Sequence, residues 1–512
     1  MNGFRTLLTK LFGGGRREPA VRQRPDLAPL PSQLNGERRT DDPAAIYRKG
    51  DFIGKSYEVF GVLGVGGFSV VYLVYSHEND TAYALKTLRD QFLLDPETRE
   101  QFRREAKVWV DLERHPYVVS AHFIEELAGR LYIGMEYVAP NEDGLNSLEG
   151  YIHHSPPDLV RSLAWAIQFS HGMEYANSRG IRSHRDIKPA NIMITQDRIV
   201  KITDFGFADL IERTKALDGI RRRRRSVPEN IGFGTPNFMP PEQFLNAAHC
   251  DARSDIYSFG IVLYQLASGG QLPFTPPLPS RTGRKTSHNV WREMHRLHAH
   301  APVPPLPSPL FPIIQKCMQK EQSARYQTFR DLRRDLEALL RRHGAEVVVP
   351  EHTRALEAWE IYNKAFSLAS LGQLEDAIKY YDRVLELEPG NSEAWNNRGV
   401  CCKKLGRLED ALTGYENAIK AERHNASAWS NKGNVLYALG RYPEAIVSLN
   451  KAIDIDPLNE SAWLNKGIVE ERLGLRREAA SSFKRFIDLE PVAYAAHLDY
   501  ARKRLADLQA QQ

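Results

Sequence analysis

Asp186, Lys188, Asn191 and Asp204 lie within about 20 residues of one another and supply a carboxylate, a cation and two hard oxygen donors. That set suits phosphoryl transfer. Asp186 would accept the proton of an attacking hydroxyl, and Lys188 would offset charge beside the transferring group. Asn191 and Asp204 would hold Mg²⁺ bridging the phosphates of ATP. The four residues sit in two runs, His184-Arg185-Asp186-Ile187-Lys188-Pro189-Ala190-Asn191 and Asp204-Phe205-Gly206. An isolated Asp-Phe-Gly says little, but the octapeptide followed by Asp-Phe-Gly is a specific signal.

Such chemistry needs a phosphate cradle and a cation on a strand. Gly64-Val65-Gly66-Gly67-Phe68-Ser69-Val70-Val71 reads as a glycine-rich loop whose N–H groups can approach phosphates. Tyr83-Ala84-Leu85-Lys86 follows as a strand, and a period of two puts Ala84 and Lys86 on one face. Asp95-Pro96-Glu97 opens a helix, with Asp95 as N-cap and Pro96 in the first turn. Phe102, Ala106 and Trp109 form its apolar stripe, and Glu105 at the stripe's edge needs a partner.

In this order the motifs resemble a eukaryotic-type Ser/Thr protein kinase domain over residues 55–342. The resemblance implies an α+β bilobal protein kinase fold, with a β-rich N-lobe and a helical C-lobe, acting on protein substrates with ATP and Mg²⁺. It places Gly64, Val65, Gly66, Gly67, Phe68, Ser69 and Val71 over the nucleotide, with Ser69 in the slot of the usual third glycine. It puts Ala84 against adenine, pairs Lys86 with Glu105, makes Met135 the gatekeeper and gives the adenine edge to the backbone of Glu136 and Val138. It further implies that Asp255 braces the catalytic loop, that Arg325 pairs with Glu242, and that Lys188 favours serine or threonine as acceptor. The segment Asp204 to Glu242 resembles an activation segment. In it Arg185 would grip a phosphate carried on Thr214 or Ser226, the latter directly after Arg221 to Arg225, while Thr235 would contact the catalytic loop.

The second half is periodic. Trp395, Trp429 and Trp463 recur every 34 residues, as do the Leu-Gly pairs ending at Gly372, Gly406, Gly440 and Gly474. Ala377, Ala411, Ala445 and Ala479 keep the step, while Pro389, Pro457 and Pro491 share a slot that Arg423 fills once. Trp359 is out of register, and Ile361 takes the tryptophan slot of the first unit. The pattern resembles tetratricopeptide repeats: an all-α superhelical solenoid of four units over 358–491, closed by a helix over 492–512. Gly399, Gly433 and Gly467 would let helices approach closely, and the tryptophans and Tyr415 would fill the core. Asn363, Asn397, Asn431 and Asn465 also recur every 34, on the helix that lines the groove in this family. They would either read the backbone of a bound peptide or protein segment, or bond one repeat to the next.

At 512 residues, two or three domains are expected, joined here through a junction at 343–357. A net charge of +5 does not point to nucleic acid. Cys250, Cys317, Cys401 and Cys402 have neither zinc nor disulfide spacing, which suits a reducing cytoplasmic setting. Residues 1–50 read as a disordered basic segment. Within it, residues 4–12 carry Phe4, Leu7, Leu8, Leu11 and Phe12 at helical spacing, enough for weak docking on an anionic membrane or a partner. The run Pro302 to Pro312 reads as a loop between helices. An active kinase with a recognition module is the leading reading. A pseudokinase scaffold working through its repeats is the alternative, and the full catalytic set weighs against it. A small-molecule kinase is disfavoured by Gly234-Thr235-Pro236 and the following Pro240-Pro241-Glu242.

Overall fold

The computed structural model describes residues 46–205, 236–246, 249–275, 287–346, 358–489 and 495–510. Six strands form one antiparallel sheet: β1 (Phe52–Ile53), β2 (Tyr57–Val65), β3 (Ser69–Ser76), β4 (Thr81–Leu88), β5 (Ala121–Leu127) and β6 (Arg130–Glu136). Their order is β1-β2-β3-β4-β6-β5, which leaves β5 on an edge. The run Ser-Val-Val-Tyr-Leu-Val-Tyr-Ser of β3 is nearly unbroken in apolar residues because both its faces are covered. Val70, Tyr72 and Val74 join Tyr83, Leu85 and Phe123 on one face, while Ala84, Ile133 and Met135 pack on the other.

A short turn, α1 (Asp90–Leu93), leads into α2 (Pro96–Asp111). The Asp95 side chain accepts from Thr98 N at 3.0 Å and Pro96 occupies the first turn, so the helix starts where the cap chemistry dictates. Phe102, Glu105, Ala106 and Trp109 are its buried face.

The helical lobe is built on α3 (Leu148–His154), α4 (Leu159–Ser178), α5 (Pro241–Leu245), α6 (Ala252–Ser268), α7 (Ser287–His300), α8 (Phe311–Cys317) and α9 (Phe329–Arg342). Residues 301–310 join α7 to α8. Helix α6 is buried nearly all round, as its sequence without a polar face requires. Phe259 on α6 stacks on Phe169 of α4 at 4.0 Å, and Phe329 of α9 meets Phe169 edge-on. A two-stranded ribbon, β7 (Ile192–Ile194) with β8 (Val200–Ile202), holds Asn191 before its first strand and Asp204 just past its second.

Four helix pairs follow: α10 (Ala358–Ser370) with α11 (Leu374–Leu387), α12 (Ser392–Lys404) with α13 (Leu408–Ala421), α14 (Ala426–Ala438) with α15 (Tyr442–Ile455), and α16 (Glu460–Arg472) with α17 (Arg476–Asp488). A last helix, α18 (Ala495–Ala510), buries Ala501 and Leu508 with Phe483 and Phe486 of α17. Each Leu-Gly turn puts its glycine at a positive φ near 75–81°, a conformation that ends one helix and admits glycine without strain. Close approach explains Gly399: a Cβ there would lie 2.7 Å from the Tyr415 ring.

The tryptophans pack against the core, as expected, but do not form its centre. Trp395, Trp429 and Trp463 are only half-buried, while Tyr381, Tyr415, Leu449 and Phe483, also 34 apart, form the fully buried column. Each indole N–H donates at 3.0 Å to a carbonyl six residues earlier, on Pro389, Arg423 and Pro457. Only a carbonyl is needed at that slot, so arginine serves there as well as proline. Asn391, Asn425 and Asn459 cap the first helix of their units, a further 34-residue series. The first helix, α10, also lies along the sheet edge at β5, so lobe and repeats share one continuous core.

Candidate active site

The Lys86 ammonium lies 2.9 Å from Glu105 Oε1 and 2.6 Å from Asp204 Oδ1. The Lys86 and Glu105 side chains are almost wholly buried, whereas that of Asp204 keeps 37% exposure. Burial works against the charged lysine, but the Asp204 and Glu105 carboxylates outweigh it and hold the pKa above its ordinary value. For Glu105 burial wins over the attraction of Lys86, so its carboxyl sits above the usual range. For Asp204 burial pushes up, yet Lys86 and then Lys188 outweigh it, and the net shift is downward. Asp204 is therefore the anionic member of the trio that faces the opening, and it stands close enough to Lys188 to feel its charge.

Opposite this trio, Asp186 Oδ2 accepts from Lys188 Nζ at 2.8 Å and from Asn191 Nδ2 at 2.9 Å. Asn191 Nδ2 also reaches the Asp186 carbonyl. The loop carrying these side chains is pinned from below by Asp255 on α6. Its carboxylate accepts from the N–H of His184 at 2.7 Å, the N–H of Arg185 at 3.0 Å and the hydroxyl of Ser183 at 3.0 Å. Such bracing is needed, because Arg185 and Asp204 both sit at a positive φ, 66° and 63°, which is uncommon for residues with side chains. Phe205 locks the second of these in place: its ring lies edge-on to Trp109 of α2 at 5.6 Å and tilted on His184 at 4.6 Å.

The other side of the cleft, where the resemblance puts the nucleotide, is formed by the β2–β3 hairpin and the end of β6. Gly64 pairs with Val71, and Gly66 N donates to Ser69 O at 2.8 Å across the turn. Gly67 lies in that turn, Val65 ends β2, and Phe68 folds inward against Phe92 at 4.9 Å. Ser69 is buried, so the serine in the glycine slot takes part in the hairpin. Ala84 pairs with Met135, which puts both beside Lys86 at the back of the cleft. The N–H of Glu136 is engaged by Ser120 O at 2.8 Å, and Val138 is buried just beyond β6. Three supports here carry no sequence motif. Arg89 reaches the carbonyl of Gly67 at 3.2 Å, Lys201 pairs with Glu136 at 2.9 Å, and Asn146 donates to Val138 O at 2.9 Å. Each joins residues tens of positions apart or lacks a motif, so nothing local marks it.

The donor set fits a magnesium ion. Asn191 turns its amide N–H toward Asp186, which presents the amide oxygen elsewhere, and Asp204 commits Oδ1 to Lys86 and keeps a second carboxylate oxygen. Two oxygen donors, with water and phosphate completing the shell, are what Mg²⁺ takes in nucleotide sites.

Below the cleft, Arg325 donates from Nη1 and Nη2 to the two oxygens of Glu242, at 2.7 and 3.0 Å. Gly206, Thr214, Arg221 to Arg225, Ser226 and Thr235 lie outside the described residues, as do residues 4–12. Among the described residues no helix is long and apolar enough to cross a membrane.

The asparagine series of the repeats does not form one open reading surface. Asn397 Nδ2 donates to the Tyr362 hydroxyl at 2.8 Å and Asn431 Nδ2 to Asn396 Oδ1 at 3.0 Å, each reaching into the preceding repeat. Asn465 bonds Ser461 within its own helix, and Asn363 lines a small cavity between α10 and the N-lobe. Two of the four thus bond one repeat to the one before it, and all four remain partly exposed.

Comparison with known proteins fits this geometry. A family model described as the protein kinase domain matches residues 57–335. Models described as TPR repeat and tetratricopeptide repeat match 362–416, 401–440 and 433–474. The chain is 34% identical over 308 residues to the serine/threonine-protein kinase PknB of Mycobacterium tuberculosis, an alignment covering 57% of this chain and 43% of that protein. It is 33% identical over 294 residues to PknB of Mycolicibacterium smegmatis, covering 55% and 42%. The chain thus spans less than half the length of these relatives. Among solved structures, the kinase domain of Mycobacterium tuberculosis PknI aligns at 20% identity and a TM-score of 0.39, over 58% of this chain and 100% of that one.

Proposed function

Because this chain belongs to the protein kinase domain family, we propose that it transfers the γ-phosphoryl group of ATP to serine or threonine hydroxyls of protein substrates. The observation that carries the reading is the joined cluster of Lys86, Glu105 and Asp204 on one side and Asp186, Lys188 and Asn191 on the other. Lys86 holds the α/β-phosphates, and Glu105 keeps that ammonium extended and charged. Asp186 orients the acceptor hydroxyl and takes its proton, while Lys188 steadies the transferring group. Asn191 and Asp204 would hold Mg²⁺, which would neutralise charge on the phosphate oxygens. The backbone of Glu136 and Val138 receives the adenine edge. Glu142 and Asp143, exposed just past the hinge, suit a basic stretch in the substrate. The repeat block serves protein recognition, and autophosphorylation at Ser226 or Thr214 would supply the phosphate that Arg185 grips.

A scaffold without catalysis would not need Lys86 buried between two carboxylates, an arrangement that is costly unless each charge is paired. The test is phosphoamino-acid analysis after incubation with Mg·ATP and a basic protein substrate. Phosphoserine or phosphothreonine is expected, with Lys86→Met lowering turnover by orders of magnitude. Phosphotyrosine alone, or equal turnover in Lys86→Met, would contradict the proposal.

A further inference from the structure

Helix α2 carries Glu105, and its placement decides whether the carboxylate reaches Lys86. Three contacts hold the chain that leaves α2, at Glu113, Arg114 and Ile124, and all come from α10, the first helix of the repeat block. The Ile124 N–H on the outer edge of β5 donates to Ser367 Oγ at 2.9 Å, with both residues buried. The same hydroxyl donates to Asn363 O at 2.7 Å, so Ser367 both accepts and donates and its side chain is held in one direction. Lys364 Nζ lies 2.7 Å from Glu113 Oε1, two residues past the end of α2. Arg179, at the end of α4, reaches the same oxygen at 3.1 Å, so one carboxylate joins α10, the α2–β5 connection and the helical lobe. Burial would raise the Glu113 pKa, but Lys364 and Arg179 outweigh it, so the carboxylate stays charged. At the rim, Arg114 pairs with Glu360 at 3.2 Å.

These contacts lead inward to the reacting groups. Trp109 lines the same small cavity as Glu360, Lys364 and Ser367, and its indole is one helical turn from Glu105. The other side of that indole is the edge contact with Phe205, the neighbour of Asp204. A sheet edge would otherwise offer unpaired N–H groups to solvent or to another chain. Here α10 covers it and takes one of those N–H groups as a partner.

We propose that Ser367 and Lys364 are positioning residues for phosphoryl transfer: through Ile124, Glu113 and Trp109, the first repeat helix seats α2 so that Glu105 meets Lys86. The repeat block is then an activating subunit carried in the same chain. The proposal rests on the kinase reading above for its activity readout, and on α2 itself for a second readout.

The test uses the full chain with Lys364→Glu, which sets a carboxylate against Glu113, and with Lys364→Arg as the conservative variant. Turnover and hydrogen exchange of the α2 amides are measured together. Lys364→Glu is expected to lower kcat at least tenfold, raise the KM for ATP and speed exchange over residues 96–111. Exchange over α14 and α15 should stay unchanged, and Lys364→Arg should restore both turnover and α2 protection. If Lys364→Glu speeds exchange everywhere, the chain has unfolded, and Ser367→Ala, which removes one bond, takes its place with the same expected pattern. Unchanged kcat and unchanged α2 exchange overturn the proposal. If the wild type transfers no phosphate, the kinase reading fails, and α2 exchange alone decides whether α10 seats the helix.

Discussion

Arg325 is wholly buried, and its fork takes both oxygens of Glu242, which also accepts from Ser254 at 2.6 Å and Gln322 at 2.9 Å. Burial would raise the Glu242 pKa, but the arginine outweighs it and the net shift is downward. A depressed carboxyl contributes stability that is complete above its unfolded pKa and lost as pH falls through the lower folded value. Arg325→Leu leaves that carboxylate buried without its cation and should cost about 3–5 kcal/mol in urea unfolding. An unchanged midpoint would show that the pair is dispensable. The ingredients of this bond, like those of the catalytic loop, are legible in sequence because their motifs are short and local. Asp186, Lys188 and Asn191 fall within one turn of loop, and the fold only has to brace it. Arg89, Lys201 and Glu113 were not legible, since each acts across a gap in sequence that only the folded chain closes.

Elements show the same division. Helix α2 was readable from Asp95, Pro96 and the Phe102–Ala106–Trp109 stripe, all of them within a few turns. The repeat pairs were readable from their period, but the half-burial of the tryptophans was not. Periodicity marks a slot without saying which ring in it meets solvent. Helix α7 carries a consequence that sequence pattern does not show. His298 is buried against Tyr257, Phe244 and Phe274, with its pKa pushed down to about 3 chiefly by burial and then by the Lys320 ammonium. The unfolded chain takes up that proton near pH 6.5 and the folded chain does not. Stability from this group is thus full above about pH 6.5 and declines by roughly 1.4 kcal/mol per unit as pH falls toward the folded value. Between pH 7 and pH 5 the protein should lose about 2 kcal/mol through it. His298→Gln should flatten the slope in denaturant unfolding at the two pH values. An equal slope in both proteins would mean that other groups carry the acid sensitivity.

For the whole molecule, the order of a bilobal catalytic domain and a helical solenoid follows from motif and period. Their contact does not. Ser367 meets Ile124 across 243 residues, and Lys364 meets Glu113 across 251, so each surface looks ordinary until the other is beside it. Asn363 shows why one half alone does not suffice: as a member of a repeat series it suggests a peptide groove, and beside the N-lobe it lines a small cavity between α10 and the lobe. The proposed phosphoryl transfer is tested by measuring transfer of the γ-phosphoryl from Mg·ATP to protein by the full chain and by Asp186→Ala. Nucleotide binding is expected in both, because the hydrogen-bond partners of Asp186 are Lys188, Asn191 and His184, and turnover should fall by several orders of magnitude in the variant alone. Equal turnover in the two proteins would contradict it.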